Sequence, residues 1–351
     1  MFIPLIPSAT LYRKWGRDLY SIIEVINMKL GLDARGGVTN ELLDFGAQLG
    51  ATDVIGGGVP EESGYWEYLD LLRIRSQVEA VGMRLFAIEN LPQNWMDKIK
   101  LGLPGRDEQL DNIGKTIQNM GAAGIPVLGY NFMPMRSRTG YAWRTSGDTL
   151  ARGGARVSSF DHELALTAPL TQYGEVSDEE MWANFEYFLK AIVPVAEQAG
   201  VKIGVHPDDP PISPLAGLPR ILRSHASLQK LCDLVPSNNS GIEFCQGTVA
   251  EMPERVVDAI QKFGRQDKIF YVHFRNVSGT VPKFQETFID EGHVDMRETI
   301  QAYYEIGFDG PFIPDHVPLL SLRPTENAKF ASEAYAMGYI KALIDEVTLG
   351  R

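Results

Sequence analysis

The sequence predicts a single (β/α)₈ barrel, and three observations carry that reading. Short β-like runs alternate with longer helix-like stretches through eight rounds, and strands separated by helices require the crossover connection of a parallel sheet. One joint recurs, a glycine-capped helix end leading into a strand, in GAAGIP (121–126), EQAGVKIG (197–204) and YEIGFDGPF (304–312). Chemistry-bearing residues then follow the β runs one after another, as expected where active sites sit at the C-terminal ends of barrel strands.

The β runs are MKLGL (28–32), TDVIG (52–56), RLFAI (84–88), IPVLGY (125–130), VKIGV (201–205), SGIEF (240–244), KIFYVHF (268–274) and GPFIP (310–314). The helical stretches fall near 38–49, 66–81, 107–123, 178–199, 225–235, 250–263, 295–306 and 325–346. A length of 351 residues suits one barrel as well as two smaller domains, so the division rests on the alternation. It gives an N-terminal arm, 1–27, and a catalytic barrel, 28–351. The arm opens on a short apolar run broken by Pro4 and Pro7, with its basic residues after that run, which makes a poor signal peptide and too short a membrane span. It is expected to pack on the barrel base or on a partner subunit of a homo-oligomer; initiation at Met28 is the rival reading.

Composition narrows the function. Hydrophobic residues make up 44% of the chain, enough for a large core. The 33 basic against 45 acidic residues give a net charge of −12, which opposes attraction to nucleic acid or to an anionic membrane. Two cysteines, Cys232 and Cys245, are too few for a disulfide framework and suit a reducing cytoplasm.

One long interruption, 131–177, separates the fourth strand from its helix, and a loop of that length in a compact domain is usually functional. Arg136, Arg138, Arg144, Arg152 and Arg156 stand there against one acid, Asp148, before Asp161. Guanidinium groups in that number suit capture of a carboxylate or phosphate; a solvated charged loop is the bland alternative.

Four consecutive strands end in candidate ligands. VKIGV runs into His206, which Pro207, Asp208, Asp209, Pro210 and Pro211 follow at once. Cys245 lies in IEFCQGT, His273 in YVHFRNV, and Asp315 and His316 in FIPDHVP. Each alone has an ordinary structural reading. Together, two imidazoles, a thiolate and a carboxylate make a divalent-metal site that Zn²⁺, Fe²⁺, Mn²⁺, Co²⁺ or Ni²⁺ would accept. Their separations of 28 to 42 residues are those of one ligand per strand, not of a zinc finger or zincin. His316, beside the ligand Asp315, is the candidate general acid or base. Glu89, Asn131, Arg275 and Asn276, at or just past strand ends, and Asp208, close behind His206, are candidate substrate contacts with Arg144 and Arg152. Glu243, two residues before Cys245 and on the same strand face, needs a cation nearby.

The run KIKLGLPGRDEQLDNIGKTIQNMGAAGIPVLGYNFMP (98–134), followed by GVHPDDPP, FCQGT, HFRNV and PDH, resembles the mannonate dehydratase family from about Met28 to His316. The resemblance implies a xylose-isomerase-like barrel and a divalent metal, typically Mn²⁺. It also implies dehydration of D-mannonate to 2-keto-3-deoxy-D-gluconate. It makes His206, Cys245, His273 and Asp315 the metal ligands, with His316 catalytic beside Asp315. The pattern departs after Asp315: the family continues PDHGR and then supplies a catalytic tyrosine. Here Val317 and Pro318 follow His316, and Phe330 falls near the tyrosine's place. Two alternatives follow from the departure, a sugar isomerase or epimerase on the same metal-binding barrel and a catalytically inactive barrel that binds a sugar acid.

Overall fold

A computed structural model describes residues 28–350 apart from 61, 135–142 and 323–324. The N-terminal arm, 1–27, and two arginines of the long loop, Arg136 and Arg138, lie outside the described residues.

Twelve strands are described, β1 (Lys29–Ala34), β2 (Asp53–Gly56), β3 (Arg84–Glu89), β4 (Val127–Asn131), β5 (Ser146–Leu150), β6 (Arg156–Asp161), β7 (Lys202–His206), β8 (Ser240–Cys245), β9 (Ile269–His273), β10 (Val277–Ser278), β11 (Lys283–Glu286) and β12 (Pro311–Ile313). Eight of them close a parallel barrel in the order β1-β12-β9-β8-β7-β4-β3-β2, the eight β runs read from the sequence. Ile55, Ala87, Val127, Phe270, Tyr271 and Ile313 form a separate buried cluster, while a far larger apolar cluster includes residues from the strands and the surrounding helices.

Helix boundaries follow local chemistry. Ser177 caps the helix Asp178–Ala199 in a capping box with Glu180, and Gly200 ends it at φ 68°, a left-handed conformation that glycine adopts freely. The stretch 250–263, expected as one helix, is two, Gln246–Glu251 and Val256–Gly264. Pro253 stands between them and supplies no N–H to continue the first.

The long interruption is a correction to the sequence reading. It carries β5 and β6, which join β10 and β11 from beyond the seventh barrel strand in an antiparallel sheet of order β10-β11-β6-β5. Register then levels the rim: Asn131 of β4 pairs with His206 of β7, and Cys245 of β8 with His273 of β9. Among the described residues, no helix is long and apolar enough to cross a membrane.

Candidate active site

His206, Cys245 and His273 each end a neighbouring strand, and one ligand atom from each lies within 4.8 Å of the others. Asp315, two residues past β12, adjoins them, its Oδ2 3.9 Å from Cys245 Sγ and 3.7 Å from His273 Nδ1. The four residues read as ligands are therefore brought together.

Each donor is held by its surroundings. His206 Nδ1 lies 2.6 Å from the Pro207 carbonyl, so Nδ1–H donates there and Nε2 is left for the centre. The Cys245 sulfur stands at the start of helix Gln246–Glu251 and accepts from the Thr248 amide at 3.5 Å and hydroxyl at 3.2 Å. Burial would raise its pKa, but the Arg275 guanidinium and His206 outweigh burial and hold the thiol well below its usual value. Burial likewise would lower His206, yet the Cys245 thiolate pushes it up to about 9. Asp315 accepts from Arg35 at 2.8 Å on Oδ1 and from Arg275 at 2.9 Å on Oδ2. Against the cost of its burial, His316, Arg35 and the other nearby cations keep it well below the usual carboxylate range.

One orphaned atom tests whether this donor set fits a cation. His273 Nδ1 is buried without a hydrogen-bond partner, a state that ordinarily costs about 1–3 kcal/mol. A thiolate, two imidazoles and a carboxylate are also donors that borderline divalent ions accept. The residues fit a divalent metal.

Above the donors opens a cavity of about 560 Å³, lined among others by Arg35, Glu89, Asn131, Arg144, His206 and His316, within the range of small-molecule sites. His316 is 30% exposed, with Nδ1 3.6 Å from Glu286 and Nε2 3.8 Å from Asp315. Both separations exceed a hydrogen bond, which leaves the ring free to exchange a proton with a bound molecule. Its φ of 46° is a strained left-handed conformation for a non-glycine residue. Asn131 accepts from Lys100 Nζ at 3.1 Å, so its carbonyl oxygen is already engaged.

The remaining expected substrate contacts are placed elsewhere. Arg152 is exposed on the surface, bonded to Asp290 at 2.8 Å and stacked over Phe288. Its opposing charges and ring are supplied by the protein. Asn276 organises its own loop by accepting from the Val277 and Val294 amides. Asp208 is buried and accepts from the Leu222 amide. Arg275 is buried and links Asp315, Glu286, Glu251 and Asp209. None of these four lines the 560 Å³ cavity. Arg144 does line it, yet its guanidinium bonds Asp209 at 2.5 and 3.0 Å and Glu286 at 2.6 Å. It ties the antiparallel sheet to the loop behind His206. Phe330 packs its ring on Phe45, with centroids 4.8 Å apart.

Arg35 is a cavity-lining residue that the sequence reading passed over. It follows β1 and spans Asp33, Glu89 and Asp315. The strand-end rule that picked out the fifth to eighth strands would have found it on the first.

Comparison with known proteins gives the family and the fold. The family model for D-mannonate dehydratase (UxuA) matches residues 47–165 and 164–348. A mannonate dehydratase of Streptococcus equi subsp. zooepidemicus is 36% identical over 274 residues, 72% of this chain and 74% of that protein. Mannonate dehydratase 2 of Halalkalibacterium halodurans is 34% identical over 277 residues, 72% of this chain and 79% of that protein. The crystal structure of mannonate dehydratase from Streptococcus suis serotype 2 superposes with a TM-score of 0.82 at 28% identity, covering 93% of this chain and 95% of that one. D-psicose 3-epimerase of Clostridium cellulolyticum H10, at 12% identity and a TM-score of 0.55 over 92% of this chain and 96% of that one, shares the fold alone.

Proposed function

The chain belongs to the D-mannonate dehydratase family, and from that premise we propose that it is a hydro-lyase that removes water from D-mannonate, or a related aldonate, to give a 2-keto-3-deoxy sugar acid. The observation that carries the reading is the convergence of His206, Cys245 and His273 within 4.8 Å beneath a cavity whose wall presents His316.

The reaction removes the C2 proton, expels the C3 hydroxyl as water and leaves an enol that becomes the 2-keto acid. His206, Cys245, His273 and Asp315 would hold the divalent ion, manganese on the family resemblance. When bound, that ion supplies positive charge for the substrate carboxylate and for the negative charge that develops at C2. His316 carries one of the two proton transfers, since its ring lines the cavity with no hydrogen bond to Glu286 or Asp315. Phe330 has no proton to give and is turned to Phe45, so the second transfer does not come from that position. Arg35 holds Asp315 by a 2.8 Å bond to Oδ1, and Ser146 and Ser158 of the antiparallel sheet, with Thr145 just before it, form part of the cavity wall. Both cysteines are buried and unpaired, which supports a reducing, cytoplasmic setting.

The test is incubation of the purified chain with Mn²⁺ and a panel of hexonates and pentonates, with 2-keto acid as the readout. Formation of 2-keto-3-deoxy-D-gluconate from D-mannonate is expected. An isomerised or epimerised sugar without loss of water would replace this reading with isomerase chemistry.

A further inference from the structure

The candidate metal site leaves a buried group unexplained. On the far side of the His273 ring from Asp315 lie Glu89 of β3 and Glu243 of β8, with Tyr271 of β9 beside them, all buried. His273 Nε2 is 2.9 Å from Glu89 Oε2 and 3.3 Å from Glu243 Oε1. The opposite ring nitrogen, Nδ1, makes no hydrogen bond and faces Asp315 Oδ2 at 3.7 Å. A neutral imidazole that donates from one nitrogen presents a lone pair at the other. The Glu89 carboxylate can only accept from Nε2–H, so the Nδ1 lone pair is directed at the donors from Cys245 and Asp315.

Glu89 is itself fixed. Its Oε1 accepts from Arg35 at 2.9 Å and from Asn90 at 3.1 Å, and its Oε2 accepts from the Tyr271 hydroxyl at 3.1 Å. Room for this cradle depends on Gly129 of β4, where a Cβ would come within 1.9 Å of the Tyr271 hydroxyl and 2.6 Å of the Glu243 carboxyl. Four strands thus build one support behind one imidazole.

We propose that Glu89, backed by Glu243, is a positioning residue that holds His273 by Nε2 and aims Nδ1 at the metal. Glu89 lines the cavity, but both of its carboxyl oxygens are engaged by Arg35, Asn90, Tyr271 and His273, so it serves His273 and not the substrate. The inference rests on the metal-site reading above. Carboxylates that hold a ligating histidine in this way typically contribute roughly 10–100-fold to metal affinity.

The experiment is Mn²⁺ titration of the full chain, wild type and Glu89→Gln, with free Mn²⁺ followed by electron paramagnetic resonance and folding checked by circular dichroism. One Mn²⁺ per wild-type chain is expected, with binding roughly 10–100-fold weaker in Glu89→Gln and the KM at saturating Mn²⁺ little changed. Wild-type affinity in Glu89→Gln together with a raised KM makes Glu89 a substrate contact and overturns the proposal. Two Mn²⁺ per wild-type chain, falling to one in Glu243→Gln, overturns it differently, by making the carboxylates ligands themselves. A wild-type chain that binds neither Mn²⁺ nor Zn²⁺ overturns both this proposal and the metal site. Nitrogen-15 resonances of the Zn²⁺-loaded wild type need no variant: a protonated Nε2 and a metal-bound Nδ1 on His273 are expected, and a metal-bound Nε2 refutes the positioning role.

Discussion

Arg144→Ala separates two readings of the same arginine, as substrate clamp and as structural tie. The Arg144 side chain is 9% exposed and bonds Asp209 and Glu286, which are 2% and 1% exposed. Removing one partner of a buried ion pair costs about 3–5 kcal/mol, because the other charge stays buried without compensation. Here Arg275 still reaches Asp209 at 3.0 Å and Glu286 at 2.9 Å, so the loss should fall at the lower end, about 3 kcal/mol. At roughly 2 °C per kcal/mol for a chain this large, the melting temperature should drop by about 6 °C. Limited proteolysis within 143–161 should accelerate as the sheet loosens, and Arg144→Lys should not restore it, since a point charge cannot reproduce the fork to Asp209. The pH dependence has a definite sign. Burial would raise Asp209, but Arg144 and Arg275 outweigh burial and hold it well below the usual carboxylate range. A depressed carboxyl stabilises the fold above its unfolded pKa of about 3.9, and that contribution is lost as pH falls toward the folded value. The gap in melting temperature between wild type and Arg144→Ala should therefore hold at neutral pH and narrow only below about pH 4. Wild-type melting and proteolysis combined with a KM raised tenfold or more would refute the structural tie and return Arg144 to the substrate.

Three further outcomes follow from the site. His206→Ala should lose its metal on dialysis, and an unchanged metal content by elemental analysis would remove His206 from the ligands. His316→Asn should keep the metal and lose at least about 100-fold in kcat, the usual scale of a general acid or base; wild-type turnover would take His316 out of the chemistry. In the metal-free chain His206 is raised to about 9, burial being outweighed by the Cys245 thiolate, so its contribution to stability is complete below the unfolded pKa of about 6.5 and is lost as pH rises through about 9. Metal must displace that proton, so loading at pH 7 should acidify a weakly buffered solution and affinity should climb with pH toward 9; loading without proton release would contradict the thiolate–imidazolium pair.

The barrel was readable because each strand is a short apolar or small-residue run closed by a glycine, proline or polar signal, and the strand-end rule then pointed at His206, Cys245, His273 and Asp315 without any knowledge of register. The antiparallel sheet was not readable. β5 is SGDTL, partly or fully exposed along its length, so burial leaves no alternation in it. Of its companions in that sheet, β10 and β11 lie more than a hundred residues on, beyond any local pattern. Glu243 was expected to need a cation, and the group beside it is the His273 ring, with Nε2 3.3 Å from Oε1. Arg35 was within reach of the strand-end rule, but a single arginine after MKLGLDA belongs to no motif, and its partner Asp315 is brought to it only when β1 closes against β12.

At Arg144 and Arg152 the arginine-rich loop behaves differently from its charge count, and the structure says why. Counting five guanidiniums against one local acid measures charge along the chain, whereas a binding site responds to charge through space. Around Arg144 and Arg275 the fold gathers Asp209, Glu251 and Glu286, three carboxyls to two guanidiniums. Burial and the neighbouring Asp209 push Glu251 well above its ordinary value, and with or without its proton the three carboxyls leave the two guanidiniums no net positive charge. Such a cluster offers no net attraction to an anionic substrate. Arg35 is spent in the same way on Asp33, Glu89 and Asp315. Among the described residues this leaves the cation that His206, Cys245, His273 and Asp315 would hold as the source of positive charge for a sugar-acid carboxylate. On that argument substrate affinity should depend on the metal, with Arg144 tying the antiparallel sheet to the loop behind His206.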